Sequence, residues 1–190
     1  IRSDGTLWCW GTDFSKVPLT PRTESVQISA ETTWTSVSAS ASHLCATKTD
    51  RSLWWWGRNN AGQIGDGTTE ARTTPVEIGD NTTWTKISVR GSSTCGIRVE
   101  GTLWCWGYNV NGQLGDGTTT DRHTPVQVGT ATTWTGVTVS ESHTCGVLEN
   151  GTLWCWGFNG AGAVGDGTTE NRRFPVRIGT ATTWASVGTG

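Results

Sequence analysis

GTLWCWGYNVNGQLGDGTTTDRHTPVQVGTATTWTGV, Gly101–Val137, is the stretch on which the architecture turns. It returns fifty residues later as GTLWCWGFNGAGAVGDGTTENRRFPVRIGTATTWASV, Gly151–Val187. Fifty residues earlier it stands as RSLWWWGRNNAGQIGDGTTEARTTPVEIGDNTTWTKI, Arg51–Ile87. A fourth copy, Gly5–Val37, is four residues shorter in its loop. Twelve of the 13 tryptophans fall into three recurring slots, Trp8/54/104/154, Trp10/56/106/156 and Trp34/84/134/184, and only Trp55 lies outside them. Tryptophan is therefore a property of the repeat, and packing between sheets is its expected role, ahead of sugar stacking or light absorption.

Within each copy the pattern reads as strands. Thr133–Ser140 is β-branched and weakly alternating. His143–Glu149 runs through Asn150-Gly151 into a Trp-rich segment, a hairpin signal. Pro125–Gly129 is short, and its proline suits a sheet edge. Tyr108–His123 is a Gly/Asn/Asp loop, and no segment has the apolar period of a helix. Four short strands per 50 residues make a blade, and blades stack radially into a propeller of about 4–8.

The spaced residues V-x-x-V, H-T-C, N-G-T-L-W-C-W-G-x-N-x-x-G-Q-L-G-D-G and P-V closely resemble the repeat of the regulator of chromosome condensation family. That resemblance covers nearly the whole chain. It implies an all-β propeller, usually of seven blades, with the strand before the histidine innermost and the Pro-Val strand outermost. On the repeat, Ile1 takes the slot of Val147 and Gly190 that of Ser140. The expected organisation is an incomplete blade at 1–34, repeats at 35–84, 85–134 and 135–184, and the start of another blade at 185–190. This layout reads as a window from a larger ring; a closed four-blade ring, or two chains making eight, is the rival. Open blade edges allow self-association.

Composition narrows the partners. The chain has 190 residues, net charge −2 and only 16% charged residues, which argues against a nucleic-acid or anionic-membrane surface. No run of 18 apolar residues exists, so membrane insertion by a helix is not expected.

The six cysteines obey the repeat. Cys95 and Cys105 are ten residues apart, as are Cys145 and Cys155. A three-residue loop, Glu149-Asn150-Gly151 with Gly151 left-handed, sets Cys145 opposite Cys155, Gly146 opposite Trp154 and Thr144 opposite Trp156. In this register Gly146 gives the Trp154 indole room. Opposed strand residues lie within disulfide reach, so the pairs Cys95–Cys105 and Cys145–Cys155 are expected. The C-x9-C spacing does not suit a metal site. Disulfides imply an oxidising compartment, so an extracellular or cell-surface location. Cys9 lacks its partner slot and Cys45 faces Trp55, which leaves these two odd.

Other candidates read as structural. His43 and His143 share a slot with Ser93, and a catalytic base need not recur. Asp66, Asp116 and Asp166 recur in G-D-G-T-T as turn residues, with too few carboxylates for calcium. Arg22, Arg72, Arg122 and Arg172 recur before the Pro-Val strand, and an inter-blade pair with such a carboxylate is expected. Asn81 and Asn150 open glycosylation sequons. No cofactor motif is present. The expected function is a non-enzymatic interaction or scaffold module whose rim loops bind an unknown protein partner. The contacts expected are Arg58, Tyr108, His123, Phe158, Arg173 and Phe174, where successive copies vary. A carbohydrate-binding propeller with exposed tryptophans, or an accessory domain of a larger secreted enzyme, is the alternative. A resemblance-based photoreceptor reading lacks the family's G-W-R-H-T, here Gly91-Ser92-Ser93-Thr94 or Glu141-Ser142-His143-Thr144.

Overall fold

The computed structural model describes residues 1–13, 20–79 and 83–189. Strands β1 (Leu7–Asp13) and β2 (Thr20–Ser29) form a two-stranded sheet. Three four-stranded antiparallel sheets follow in chain order. The first contains β3 (Trp34–Ala39), β4 (His43–Lys48), β5 (Leu53–Gly57) and β6 (Arg72–Glu77). The second contains β7 (Trp84–Arg90), β8 (Ser93–Arg98), β9 (Leu103–Gly107) and β10 (Arg122–Gln127). The third contains β11 (Trp134–Val139), β12 (His143–Leu148), β13 (Leu153–Gly157) and β14 (Arg172–Arg177). Strand β3 contacts β7, and β7 contacts β11, so the first strand of each blade faces its neighbours while β6, β10 and β14 lie at the outer edges. The fourth strand starts earlier than Pro125, because Arg122 pairs with Gly107 before a register shift leads to Val126.

The hairpin between second and third strands is fixed by a short relay. In the three-residue turn, Asn150 Oδ1 accepts the backbone N–H and the hydroxyl of Thr152 at 3.1 and 2.7 Å, and Thr152 Oγ1 accepts the Trp154 indole N–H at 2.9 Å. Asp50, Ser52 and Trp54 repeat it. Gly151 closes the turn at φ 71°. The register is then Cys145 to Cys155, Gly146 to Trp154 and Thr144 to Trp156. The space beside Gly146, however, belongs to a different indole. A Cβ on Gly146 would lie 2.7 Å from Cζ3 of Trp134, and one on Gly96 would lie 2.7 Å from Trp84. The first-strand tryptophan thus crosses the sheet over the second-strand glycine in these two blades, while the first four-stranded blade has the next smallest residue, Ala46, in that slot.

The tryptophans are mostly interior. Trp34, Trp56, Trp84, Trp106, Trp134 and Trp156 are buried, and only Trp10 and Trp184 are exposed. The repeat's tryptophans therefore serve packing, with aromatic pairs such as Trp134–Trp156 at 6.0 Å holding first and third strands together. Asn81 lies outside the described residues. No described helix is long and apolar enough to cross a membrane.

Candidate binding face

Strand direction sorts the loops onto two ends of each blade. One end carries the turn between first and second strands and the long loop between third and fourth. The other carries the Asn150-type turns and the links to the next blade.

The long loop is built around an asparagine. Asn109 is fully buried; its Oδ1 accepts the Leu114 N–H at 3.0 Å, and its Nδ2 donates to Asp116 Oδ1 and to the Thr118 carbonyl, each at 3.2 Å. Asn59 and Asn159 do the same. Asp116 Oδ1 also accepts the Thr118 N–H and hydroxyl, and Oδ2 accepts Arg122 Nε at 2.6 Å. Burial raises the Asp116 pKa, but the hydrogen bonds from Thr118, Arg122 and Asn109 outweigh it and leave the carboxyl below its ordinary value. The recurring pairs Arg72–Asp66, Arg122–Asp116 and Arg172–Asp166 lie within one blade, not between blades as the sequence suggests. The aspartate sits in the loop leading into the arginine's own strand, six residues away, and the turn brings the two together.

What joins blades is the backbone of the same loop. The Gln63 carbonyl accepts Thr94 Oγ1 and the Trp106 indole N–H, both at 3.0 Å. The Gln113 carbonyl accepts Thr144 Oγ1 at 2.8 Å and the Trp156 indole at 2.9 Å. Gly67 N–H donates to the His123 carbonyl, and Gly117 N–H to that of Arg173. A Cβ on Gly65 or Gly115 would strike these indoles at 2.6–2.7 Å, so only glycine lets the loop approach.

In Arg58–Asn60, Tyr108–Val110 and Phe158–Gly160, where successive copies vary, the middle asparagine is buried. The neighbours face outward: Arg58, Tyr108 and Phe158 are exposed, each tied by its N–H to the carbonyl of Ser42, Ser92 or Ser142. His123, Arg173 and Phe174 are exposed at the start of the fourth strands, on the same end of the blades. The six expected contact residues thus share one face across three blades, over loops held rigid from beneath.

His43 and His143 lie beneath that face. His43 is fully buried and stacks on Trp55 at 5.3 Å. Ser40 Oγ lies 2.8 Å from Nδ1 and 3.1 Å from the His43 carbonyl and accepts the Ser42 and His43 N–H groups; Nε2 has no partner among the described residues. Burial lowers the His43 pKa to about 4, and lowers that of His143 as well. Ser140 and His143 repeat the arrangement at 2.7 Å. It pins the turn between first and second strands.

Cys95–Cys105 and Cys145–Cys155 are disulfides with Cα atoms 4.1 Å apart. Cys45 is a buried thiol opposite Trp55, and burial pushes its pKa up. Cys9 is half-buried in β1, its Sγ 3.8 Å from the Trp10 carbonyl.

One feature is hard to see in the sequence. Lys48 Nζ sits 3.8 Å from the Trp54 ring and 4.9 Å from Trp34, and Arg98 sits 3.9 Å from Trp104 and 5.1 Å from Trp84. Arg2 covers Trp8 at 3.6 Å. The signal is a cation three residues before the hairpin glycine slot, at Arg2, Lys48 and Arg98, with Leu148 in the last copy.

Blades of this topology, clipped by a loop after the third strand, define a β-propeller of tandem repeats. The family model described as the regulator of chromosome condensation (RCC1) repeat matches residues 50–97, 100–147 and 150–190, and the chain belongs to that family. A second RCC1-repeat model matches 34–63, 84–113 and 134–163. Among solved structures, Prp20p from Saccharomyces cerevisiae, described with its binding to Gsp1p and histones, is similar at 21% identity and TM-score 0.74, covering 84% of this chain and 41% of that one. Yeast RCC1 (Prp20) bound to Kap60 is similar at 21% identity and TM-score 0.80, covering 94% and 46%. Human WBSCR16 follows at 16% and 0.53, covering 87% and 58%. The chain therefore spans less than half the length of the yeast Prp20 chain in either structure. A comparison with curated proteins gave no match.

Proposed function

We propose that this chain is a non-enzymatic, extracellular protein-interaction module that binds its partner through one face of the propeller. The carrying observation is the convergence of Arg58, Tyr108, His123, Phe158, Arg173 and Phe174 on one end of three blades. Aromatic and arginine anchors are the residues that most often dominate protein interfaces. The rigid loops beneath them favour binding with little ordering cost. The two disulfides support an oxidising location. The yeast protein of similar fold, Prp20, is described with protein partners in both structures, which supports a protein ligand here.

The test uses the immobilised 190-residue chain and a variant with all six positions changed to alanine. Both are offered extracellular protein from the source, and bound proteins are quantified by mass spectrometry. Specific binders should be retained by the wild type and lost from the variant, with the circular dichroism of the two chains alike. If the same proteins stay bound to both, the face is not the binding surface.

A further inference from the structure

The blade β3–β6 departs from the repeat at a cluster of slots on one side. Ser36 stands where the next blades have Lys86 and Gly136, Thr47 where they have Ile97 and Val147, and Arg51 where they have Gly101 and Gly151. These three side chains border one cavity of about 350 Å3, against the neighbouring blade's Trp84 and Thr85. A second cavity of about 400 Å3 shares Ser36, Thr47, Trp84 and Thr85 and adds Lys86. The repeat's own differences thus surround one cleft between two blades.

The chemistry of the cleft is cationic and hydroxylic. Thr47 Oγ1 lies 2.6 Å from Ser36 Oγ and 3.1 Å from Thr35 Oγ1. Thr35 donates to the Thr47 carbonyl; when Thr47 donates to Ser36 rather than to Thr35 Oγ1, the Ser36 hydroxyl hydrogen is free for a ligand. Lys48 borders the same cavity, its ammonium 2.7 Å from Glu31. Arg51 and Lys86 make no ion pair among the described residues, and no described carboxylate lines either cavity.

Arg51 is held there against its backbone preference. It is the one described non-glycine residue at positive φ, 66°. In the equivalent slot a Cβ on Gly5, Gly101 or Gly151 would fall 2.1–2.2 Å from the carbonyl oxygen of Thr32, Thr132 or Thr182. An arginine in a slot built for glycine is strained, and strain of this kind gathers at functional sites.

We propose that this cleft binds an oxyanion, a phosphate or sulfate group taken free or as a monoester. Arg51 supplies the unpaired charge, Lys48 stands beside it in its pair with Glu31, and the Ser36 hydroxyl donates a hydrogen bond once Thr47 turns toward it. The second cavity, bordered by Lys86, has room for the body of an ester. The site is independent of the proposed binding face, because Arg51 lies at the opposite end of the blade from Arg58.

The test is isothermal titration of the 190-residue chain with inorganic phosphate, sulfate and phosphoserine, at ionic strength held constant with chloride and with serine as control. Arg51→Gly and Thr47→Val each restore a residue the repeat itself uses, so both should fold, and Arg51→Gly should melt above wild type. Wild type is expected to bind the anions and not serine. Arg51→Gly should weaken binding at least tenfold and Thr47→Val severalfold. Phosphoserine tighter than phosphate marks a monoester ligand, and equal affinities mark the free anion. Variants that titrate like wild type, or a wild type that binds none of the anions, would overturn the proposal.

Discussion

His43 shows how a single buried ring couples stability to pH. Its folded pKa of about 4 lies below the ordinary 6.5, so between those values the unfolded chain takes up a proton that the folded chain refuses. The stability it contributes is complete above pH 6.5, falls as the pH drops through that window and is gone by about pH 4. The shift corresponds to about 3 kcal/mol. Urea midpoints between pH 7 and 4 should fall steeply for wild type and less for His43→Gln, with the remaining slope owed partly to His143. Equal slopes would mean that the folded ring already accepts a proton. That the histidine is structural can be read from its slot, which Ser93 fills in the next blade, its hydroxyl donated instead to the Tyr108 carbonyl at 2.8 Å. Its depth cannot, because the stacked Trp55 is the one tryptophan outside the repeat.

At the level of the element, the long loop divides between residues that build it and residues that project from it. Asn109→Ala leaves the buried Leu114 N–H without its partner and takes one of several donors from the Asp116 carboxylate, which keeps Thr118 and Arg122. A buried polar group left unpaired costs about 1–3 kcal/mol, so thermal denaturation should show a loss in that range. Tyr108→Ala, one residue away and half open to solvent, should change stability by about 0.5 kcal/mol or less. A similar loss from both would show that the outward residues carry the loop as well. The contrast also marks what the sequence discloses. The hairpin register follows from strand periodicity and a glycine turn, and the Cys145–Cys155 geometry follows from the register. The asparagine is invisible in a loop already rich in Asn, Gly and Asp, where any of them reads as a turn former. The glycine at 146 reads correctly as clearance but for the wrong indole, because the indole that fills the space is that of Trp134, twelve residues upstream on the first strand, which crosses the sheet diagonally. Arginine and aspartate can be paired by charge, but only the loop's path decides whether they share a blade.

Over the whole molecule, the sheets differ in how their edges are treated. The outer strands β6, β10 and β14 carry Pro75, Pro125 and Pro175, which weaken pairing with another chain. Among the described residues strand β1 pairs only with β2, and it lies beside an apolar cavity of about 190 Å3 bordered by Leu7, Ile28 and Trp56, next to the exposed Trp10. The 190-residue chain made alone is therefore expected to self-associate, which sedimentation should reveal as a mass rising with concentration. A cooperative monomer across that range would show that this edge is adequately covered. The clips between blades carry a further consequence. Each is offered by the earlier blade and received by the later one: the Gln63 carbonyl holds Trp106, and the Gln113 carbonyl holds Trp156. A ribosome delivers the chain in that same order, so each carbonyl emerges before the indole it holds. Trimming from the C-terminus leaves earlier blades with their clips intact, whereas damage to an early loop orphans the indole of the blade that follows.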